Sequence, residues 1–318
     1  MKNIFIILTI ILIFLIINYI FCIIKKYLLT QEINISERYG KNTWVLITGC
    51  SSGQGERFAY EFAKRNFNII LLGSKKIENI EKNIKKKYKV KTISYVTDFC
   101  KAYKKNYFKP IENILDNLDG ELSFLVNNIG HRTGWDKYHE MPQQKINDTI
   151  VCGTIVQSRL TQIAIKQFNK RINKKYKSSI INITSMCITP SVFFGTNNHI
   201  TIPFLSVYES ANAFGFYHSN SIQKEYEEYI DVLNITPGAV ITKNTEYLRD
   251  VPFAIDCKTY VKNIFKLIGN YTGPQHAYWK HELSGLLFYF LDSNNILKNT
   301  GKKISEYFME KYKNYKIK

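Results

Sequence analysis

Thr43-Trp-Val-Leu-Ile-Thr-Gly49 runs directly into Cys50-Ser51-Ser52-Gly53-Gln54-Gly55, and residues 56–66 follow with apolar side chains at Phe58, Ala59, Phe62 and Ala63. The first stretch is a continuous apolar run ending in glycine and reads as a buried strand; the last has helical spacing. A strand, a glycine-rich turn and a helix N-terminus in that order bring backbone N–H groups and the positive end of a helix to one point, where a pyrophosphate binds. The residues expected to form that cradle are Gly49, Ser51, Ser52, Gly53, Gln54 and Gly55. A glycine-rich turn alone is a weak signal, so its surroundings decide the reading.

Strand-like runs recur at residues 68–72, 91–96, 122–126, 179–183 and 231–235, separated by helical stretches that include a lysine-rich one at 77–88. Apolar strands alternating with helices predict an α/β fold: a doubly wound parallel sheet covered on both faces. The second strand ends in Gly73-Ser74-Lys75-Lys76. No acidic residue is there to accept bonds from an adenosine ribose, whereas cations suit a 2′-phosphate, so NADP(H) is favoured over NAD(H), with Ser74 and Lys75 beside it. Asp98 closes the third strand and Asn127-Asn128-Ile129-Gly130 the fourth, and strand C-termini are where ligands of open α/β sheets bind.

With 318 residues, 45% of them hydrophobic and 22% charged, the chain is globular rather than collagenous, disordered or a disulfide scaffold. Its 44 Lys+Arg against 26 Asp+Glu give +18, which suits a phosphorylated ligand, an anionic membrane or nucleic acid. The lysine run at 82–91 lacks interleaved aromatic residues and reads as a solvated helix face, so nucleic acid is not an expected partner. The six cysteines, Cys22, Cys50, Cys100, Cys152, Cys187 and Cys257, contain no C-x-x-C pair and read as reduced thiols, with no metal site indicated.

Residues 3–24 carry no charge and would span roughly 33 Å as a helix, about the hydrocarbon thickness of a bilayer. A cleaved signal peptide is the competing reading, but the run exceeds an h-region and no small-x-small site follows, which favours a transmembrane anchor over residues 1–27. Lys25, Lys26, Arg38 and Lys41 outweigh Lys2 and place the body in the cytosol. Sequons at Asn34, Asn147, Asn182, Asn234 and Asn270 point the other way, yet Asn182 lies in a strand-like run where no glycan fits.

Taken together, Thr48-Gly-Cys-Ser-Ser-Gly-Gln-Gly55, Asn127-Asn-Ile-Gly130, Ile180-Ile-Asn-Ile-Thr-Ser185 and Val207-Tyr-Glu-Ser-Ala-Asn212 resemble the short-chain dehydrogenase/reductase superfamily over residues 42–278. More narrowly, Lys89-Val-Lys-Thr-Ile-Ser-Tyr-Val-Thr-Asp-Phe99 and the two following motifs resemble the endoplasmic-reticulum very-long-chain 3-oxoacyl-CoA reductases and microsomal 17β-hydroxysteroid dehydrogenases. The resemblance implies a Rossmann-type domain over 40–270, hydride transfer from NADP(H) to a ketone of an acyl-CoA or steroid-like lipid, residence at the endoplasmic reticulum, and an assembly that includes a homodimer. It assigns Tyr208 as proton donor and Ser185 as carbonyl donor. It also places Asp98, Asn127, Val240 and Thr242 at the cofactor, the last two in Pro237-Gly238-x-x-x-Thr242 over the nicotinamide.

The resemblance fails at the position four residues after the tyrosine. The family's lysine, which lowers the tyrosine's pKa and holds the nicotinamide ribose, is Asn212 here. An asparagine can hold a ribose hydroxyl, but it brings no charge to a phenol that otherwise titrates near ~10. Lys224, 16 residues beyond Tyr208, is roughly 24 Å along a helix, and Lys243 is the nearest other cation by sequence. Gly153 aligns with the family's relay asparagine, with Asn147 nearby. Two functions from different classes follow: an active membrane-anchored reductase, or a catalytically impaired nucleotide-binding scaffold or sensor.

Between Ser185 and Tyr208 stand 22 residues, against about a dozen in the family, and the extra stretch around 193–199 reads as a surface loop ahead of a specificity element. His131 and Trp135 read as loop packing. In the remaining segment, 271–318, the apolar run 283–291 is too short to span and fits either a membrane dock or a core helix. The last 21 residues hold seven lysines and two glutamates and fit either attraction to an anionic leaflet or a solvated tail.

Overall fold

The computed structural model of the chain describes residues 2–130, 134–172, 175–188, 202–293 and 300–317. The strands are β1 (Trp44–Thr48), β2 (Asn68–Gly73), β3 (Thr92–Val96), β4 (Leu122–Asn127), β5 (Ser178–Ile183), β6 (Ile230–Ile235), β7 (Val240–Ile241), β8 (Ile255–Asp256) and β9 (Gly273–Gln275). The short pair β7–β8 stands apart, and the others form one parallel sheet in the order β3-β2-β1-β4-β5-β6-β9. The strand order reverses between β1 and β4, and such a switch point opens a crevice at the strand C-termini.

The helices are α1 (Lys2–Ile24), α2 (Ile35–Tyr39), α3 (Gly53–Lys64), α4 (Ile77–Lys87), α5 (Lys109–Asp116), α6 (Gln143–Ile150), α7 (Val156–Asn169), α8 (Ser206–Tyr226), α9 (Cys257–Leu267), α10 (Trp279–Ser293) and α11 (Thr300–Ile317). Residues of β1 alternate between two cores: Val45 and Ile47 face α2, α3, α4 and α9, while Trp44 and Leu46 face α5 and α7. On the first side Phe62 lies 4.9 Å from the rings of both Phe124 and Phe265, knitting α3, β4 and α9 together.

The predicted doubly wound sheet is therefore present. Helix α3 begins at Gly53, three residues before the predicted start, because the glycine turn itself supplies the first helical residues. Strand β9, with Pro274 at its centre, has no periodicity to reveal it and forms only by pairing with the edge of β6. The lysine-rich helix α4 buries Ile77, Ile80 and Ile84 and exposes Lys82, Lys85, Lys86 and Lys87, as a solvated face requires. Asn182 is 1% exposed and hydrogen-bonded on both ends of its amide, in keeping with its exclusion as a glycan site. All six cysteines are free thiols.

The start of the globular body is fastened by a buried carboxylate. Asp231, at the base of β6, accepts from Arg38 Nε at 2.7 Å, Tyr39 Oη at 2.7 Å and Lys177 Nζ at 3.2 Å. Burial opposes its charge, but the Arg38 and Tyr39 hydrogen bonds and the two cations overcome this and hold the carboxyl below its ordinary range. A carboxylate so depressed stabilises the fold above the unfolded pKa of about 4, and that contribution is lost as pH falls through the lower native value. Asp231→Asn is expected to lower stability by about 3–5 kcal/mol at pH 7, because two cations lose their partner. Urea unfolding across the acid range should show the gap from wild type closing as the pH drops below about 4; a pH-independent gap would contradict the ion-pair account.

Candidate active site

At the head of β1 the chain turns twice through left-handed glycines, Gly49 at φ +67° and Gly53 at φ +62°. Gly55 serves a different purpose, because a Cβ there would lie 2.4 Å from Gly49 O and 2.6 Å from Asn128 Nδ2. Only glycine lets α3 start this close to the turn after β4. That second turn is bonded to the first: Thr48 Oγ1 accepts from Asn128 N at 2.9 Å and Ile129 N at 3.0 Å, and Asn128 Nδ2 donates to Thr48 O at 3.0 Å.

Ser52, in extended backbone before α3, makes no side-chain cap, so the first N–H groups of α3 have no internal side-chain acceptor. Gln54 Oε1 is buried with no partner among the described residues, an acceptor suited to a hydroxyl donor. An uncapped helix N-terminus behind two glycine turns fits a dinucleotide's pyrophosphate. Ser51 Oγ accepts from Ser74 N at 2.8 Å and lies 2.9 Å from Ser74 Oγ, which joins this loop to the end of β2. Lys75 and Lys76 follow, both exposed. Asp98 is also exposed; it accepts from Cys100 N at 3.1 Å and pairs with Lys101 at 3.3 Å. Thr242 closes the far side, its methyl 3.2 Å from where a Gly53 Cβ would stand.

Asn127 takes another position. It is 3% exposed and turned into the sheet's helical side, where its Nδ2 donates to Asn182 Oδ1 at 2.8 Å and Thr161 Oγ1 at 3.2 Å. Asn128, which the sequence reading passed over, is the residue whose side chain holds the phosphate turn. Alternation along β4 carries the signal: Asn127 continues the face of Leu125 toward α7, so the next residue is the first free to face the crevice.

Ser185 follows β5, and its Oγ accepts from the Cys187 thiol at 3.0 Å. Tyr208 lies half-buried in the first turn of α8. Asn212, one turn on, directs its amide back to Tyr208 O at 2.8 Å, within its own helix. The continuous α8 carries Lys224 to its far end, and Lys243 is exposed, with its carbonyl accepting from Tyr315 Oη at 2.6 Å.

Gly153 sits in a π-helical turn, Val151–Ile155, between α6 and α7, and a Cβ there would lie 2.8 Å from Ala211 Cβ. Gly153 and Ala211 thus let this π turn and α8 touch. Asn147 lies in α6, six residues before Gly153. Glu209, beside Tyr208, accepts from Ile202 N at 2.8 Å; burial pushes its carboxyl up to about 7.

The turn after β6 is set by helix α10. His281 Nδ1 accepts from Gly238 N at 3.2 Å, while Nε2 lies 3.1 Å from Phe253 O, which assigns the proton to Nε2. Burial pushes this imidazole down to about 4, so it is neutral at physiological pH. Val240 pairs with Ile255 in the β7–β8 ladder. Beyond it Tyr247 contacts the rings of Tyr312 and Tyr315, and Trp135 donates to Tyr247 Oη at 3.1 Å and stacks on Phe308 at 5.7 Å. Helix α11 is therefore packed across the loops that follow β4 and β6. His131 and the stretch 193–199 lie outside the described residues.

Residues 43–251 match the short chain dehydrogenase family. The chain belongs to that family. Among its relatives, hydroxysteroid dehydrogenase-like protein 1 of Gallus gallus is 28% identical over 264 residues, covering 80% of this chain and 73% of that one. The very-long-chain 3-oxoacyl-CoA reductase of Aspergillus oryzae is 28% identical over 268 residues, covering 79% and 70%. The fold is shared with a solved short-chain dehydrogenase from Sphingobium yanoikuyae in complex with NADPH, at a TM-score of 0.62 and 19% identity over 74% of this chain and 87% of that one. As a short-chain dehydrogenase, the chain is an oxidoreductase by family, with a nicotinamide dinucleotide as its cofactor class.

Glu209 yields a prediction specific to this dehydrogenase. A carboxyl raised to about 7 in the native state costs stability once the pH passes the unfolded value, fully so above pH 7. Glu209→Gln keeps an acceptor for Ile202 N without the charge. The variant should gain on wild type by up to about 3 kcal/mol between pH 5 and pH 8, read from urea unfolding at both pH values. An equal difference at the two would show that Glu209 is not buried as a titrating group.

Proposed function

We propose that this protein is a membrane-anchored, NADP(H)-dependent reductase of a ketone on a long-chain acyl-CoA or steroid-like lipid. The observation that carries the reading is the phosphate turn, where Ser51, Ser74 and the uncapped α3 meet beneath Lys75 and Lys76. Two exposed cations at the end of β2 favour a 2′-phosphate over a bare ribose. Relatives named for 3-oxoacyl-CoA reduction and hydroxysteroid dehydrogenation support the substrate class.

When bound, a reduced nicotinamide supplies the hydride. Ser185 Oγ donates a hydrogen bond to the substrate carbonyl, drawing negative charge onto oxygen as the carbon is reduced. Tyr208 gives its phenolic proton to that oxygen, leaving an alcohol and a phenolate that recovers its proton from water. Asn212, being neutral, cannot stabilise the phenolate as an ammonium would; its place is to fix the helical turn under Tyr208. That same hydrogen bond favours a second reading, a nucleotide-binding scaffold or sensor with little chemistry.

The two readings separate in an NADPH-oxidation assay of purified full-length protein with 3-oxoacyl-CoA and ketosteroid substrates. Tyr208→Phe should lower kcat by roughly 10²–10⁴-fold, and Asn212→Lys should raise it. If wild type and Tyr208→Phe are equally silent while NADPH still binds, the reductase reading falls and the scaffold stands.

Residues 3–29 form a helix and π turn long and apolar enough to cross a bilayer, with none of its apolar window buried. With Lys25 and Lys26 at its exit, the body faces the cytosol at the endoplasmic reticulum. Protease added to intact microsomes should digest the globular body and leave the anchor; protection of the body would reverse the orientation.

A further inference from the structure

The exit of the apolar N-terminal segment is fixed to one place on the globular body. Lys26 Nζ pairs with Glu282 at 3.0 Å, and Tyr27 Oη donates to the same carboxylate at 2.5 Å while lying 3.0 Å from His276 O. Thr30 Oγ1 meets Tyr271 Oη at 3.0 Å just beyond. Glu282 belongs to the first turn of α10. Burial opposes its charge, yet Lys26 and Tyr27 hold the carboxyl below its ordinary range.

Next to that clamp, α10 leaves an apolar stripe uncovered. Trp279, Leu283 and Leu287 are 46%, 51% and 53% exposed, and their spacing of four residues stacks them on one side of the helix. His281 and Ser284, on the other side, are buried against the body. Single exposed leucines are ordinary; three apolar side chains in line, starting three residues before the carboxylate that holds the exit of α1, are not scattered. Tryptophan is a side chain that settles at a bilayer's headgroup boundary, and Lys280 follows Trp279 in the chain. Lys280 Nζ lies 5.6 Å from the Trp279 ring, which places a cation over an interfacial aromatic.

We propose that the Trp279, Leu283 and Leu287 face of α10 lies in the interfacial layer of the bilayer that α1 crosses, giving the protein a second membrane contact; this rests on reading α1 as a membrane anchor. Its opposite side carries His281, bonded to Gly238 in the turn after β6, so the helix that meets lipid also holds the nicotinamide-side turn of the crevice. The membrane then orients the mouth of the site as well as retaining the protein.

The test uses full-length protein in phosphatidylcholine vesicles with or without chains brominated near the headgroup. Trp44 and Trp135 are 2% and 5% exposed, so Trp279 is the tryptophan able to meet the quencher. Wild-type fluorescence should be quenched, and Trp279→Phe should lose most of that quenching. Leu283→Asp with Leu287→Asp should weaken it while the protein still floats with the vesicles. If the protein floats but quenching is the same with and without Trp279, the α10 contact is wrong and the anchor stands, the face being left to a protein partner. If it does not float, the anchor reading and the inference fall together.

Discussion

The contact on which the rest depends is that between Gly55 and the turn after β4. With no side chain at Gly55, the head of α3 sits against Gly49 O and Asn128 Nδ2, at distances where a single methyl group does not fit. That approach sets three things at once: the direction of α3 against the sheet, the pairing of the β1 and β4 turns through Thr48, and the opening of the crevice at the point where strand order reverses. Phe62, two turns along the same helix, then meets Phe124 and Phe265, so the cofactor cradle and the aromatic core are the two ends of one packing decision.

The contact between α8 and the π turn before α7 shows the same economy of volume. Asn212 bonds its own helix, and Gly153 closes against Ala211. A π turn before α7 and a small residue on α8 produce this close contact. Beneath it a polar chain runs from Asn127 through Asn182 to Ser219 and Gly215 O, joining β4, β5 and α8.

Both ends of the chain return to the site. The exit of the N-terminal apolar helix is clamped to α10 through Glu282, and α10 reaches Gly238 through His281. The C-terminal helix, which composition alone reads as a basic tail, lays Phe308, Tyr312 and Tyr315 on Trp135 and Tyr247, with Lys311 paired to Asp250. These aromatic residues pack while Lys302, Lys303 and Lys313 face outward, so Trp135 is part of a wall between two loops.

The six strands β1 to β6, the alternating helices, the glycine turn, the N-terminal apolar helix and the asparagine four residues after Tyr208 were legible in the sequence, because each depends on residue type at short spacing. Apolar runs bury themselves, glycine permits positive φ, and Tyr208 and Asn212 are one helical turn apart wherever α8 lies. Other features depend on which distant segments meet. Asn127 and Asn128 are adjacent in sequence, and only the pleat of β4 sends one into the core and the other to the phosphate turn. The roles of Gly153, His281, Glu282 and the C-terminal aromatics required a packed partner, respectively Ala211, Gly238, Lys26 with Tyr27, and Trp135 with Tyr247. The physical reason is one of range: local sterics and periodicity are written in the chain order, whereas close approach and buried polar pairing exist only after the sheet has brought remote residues within a few ångströms.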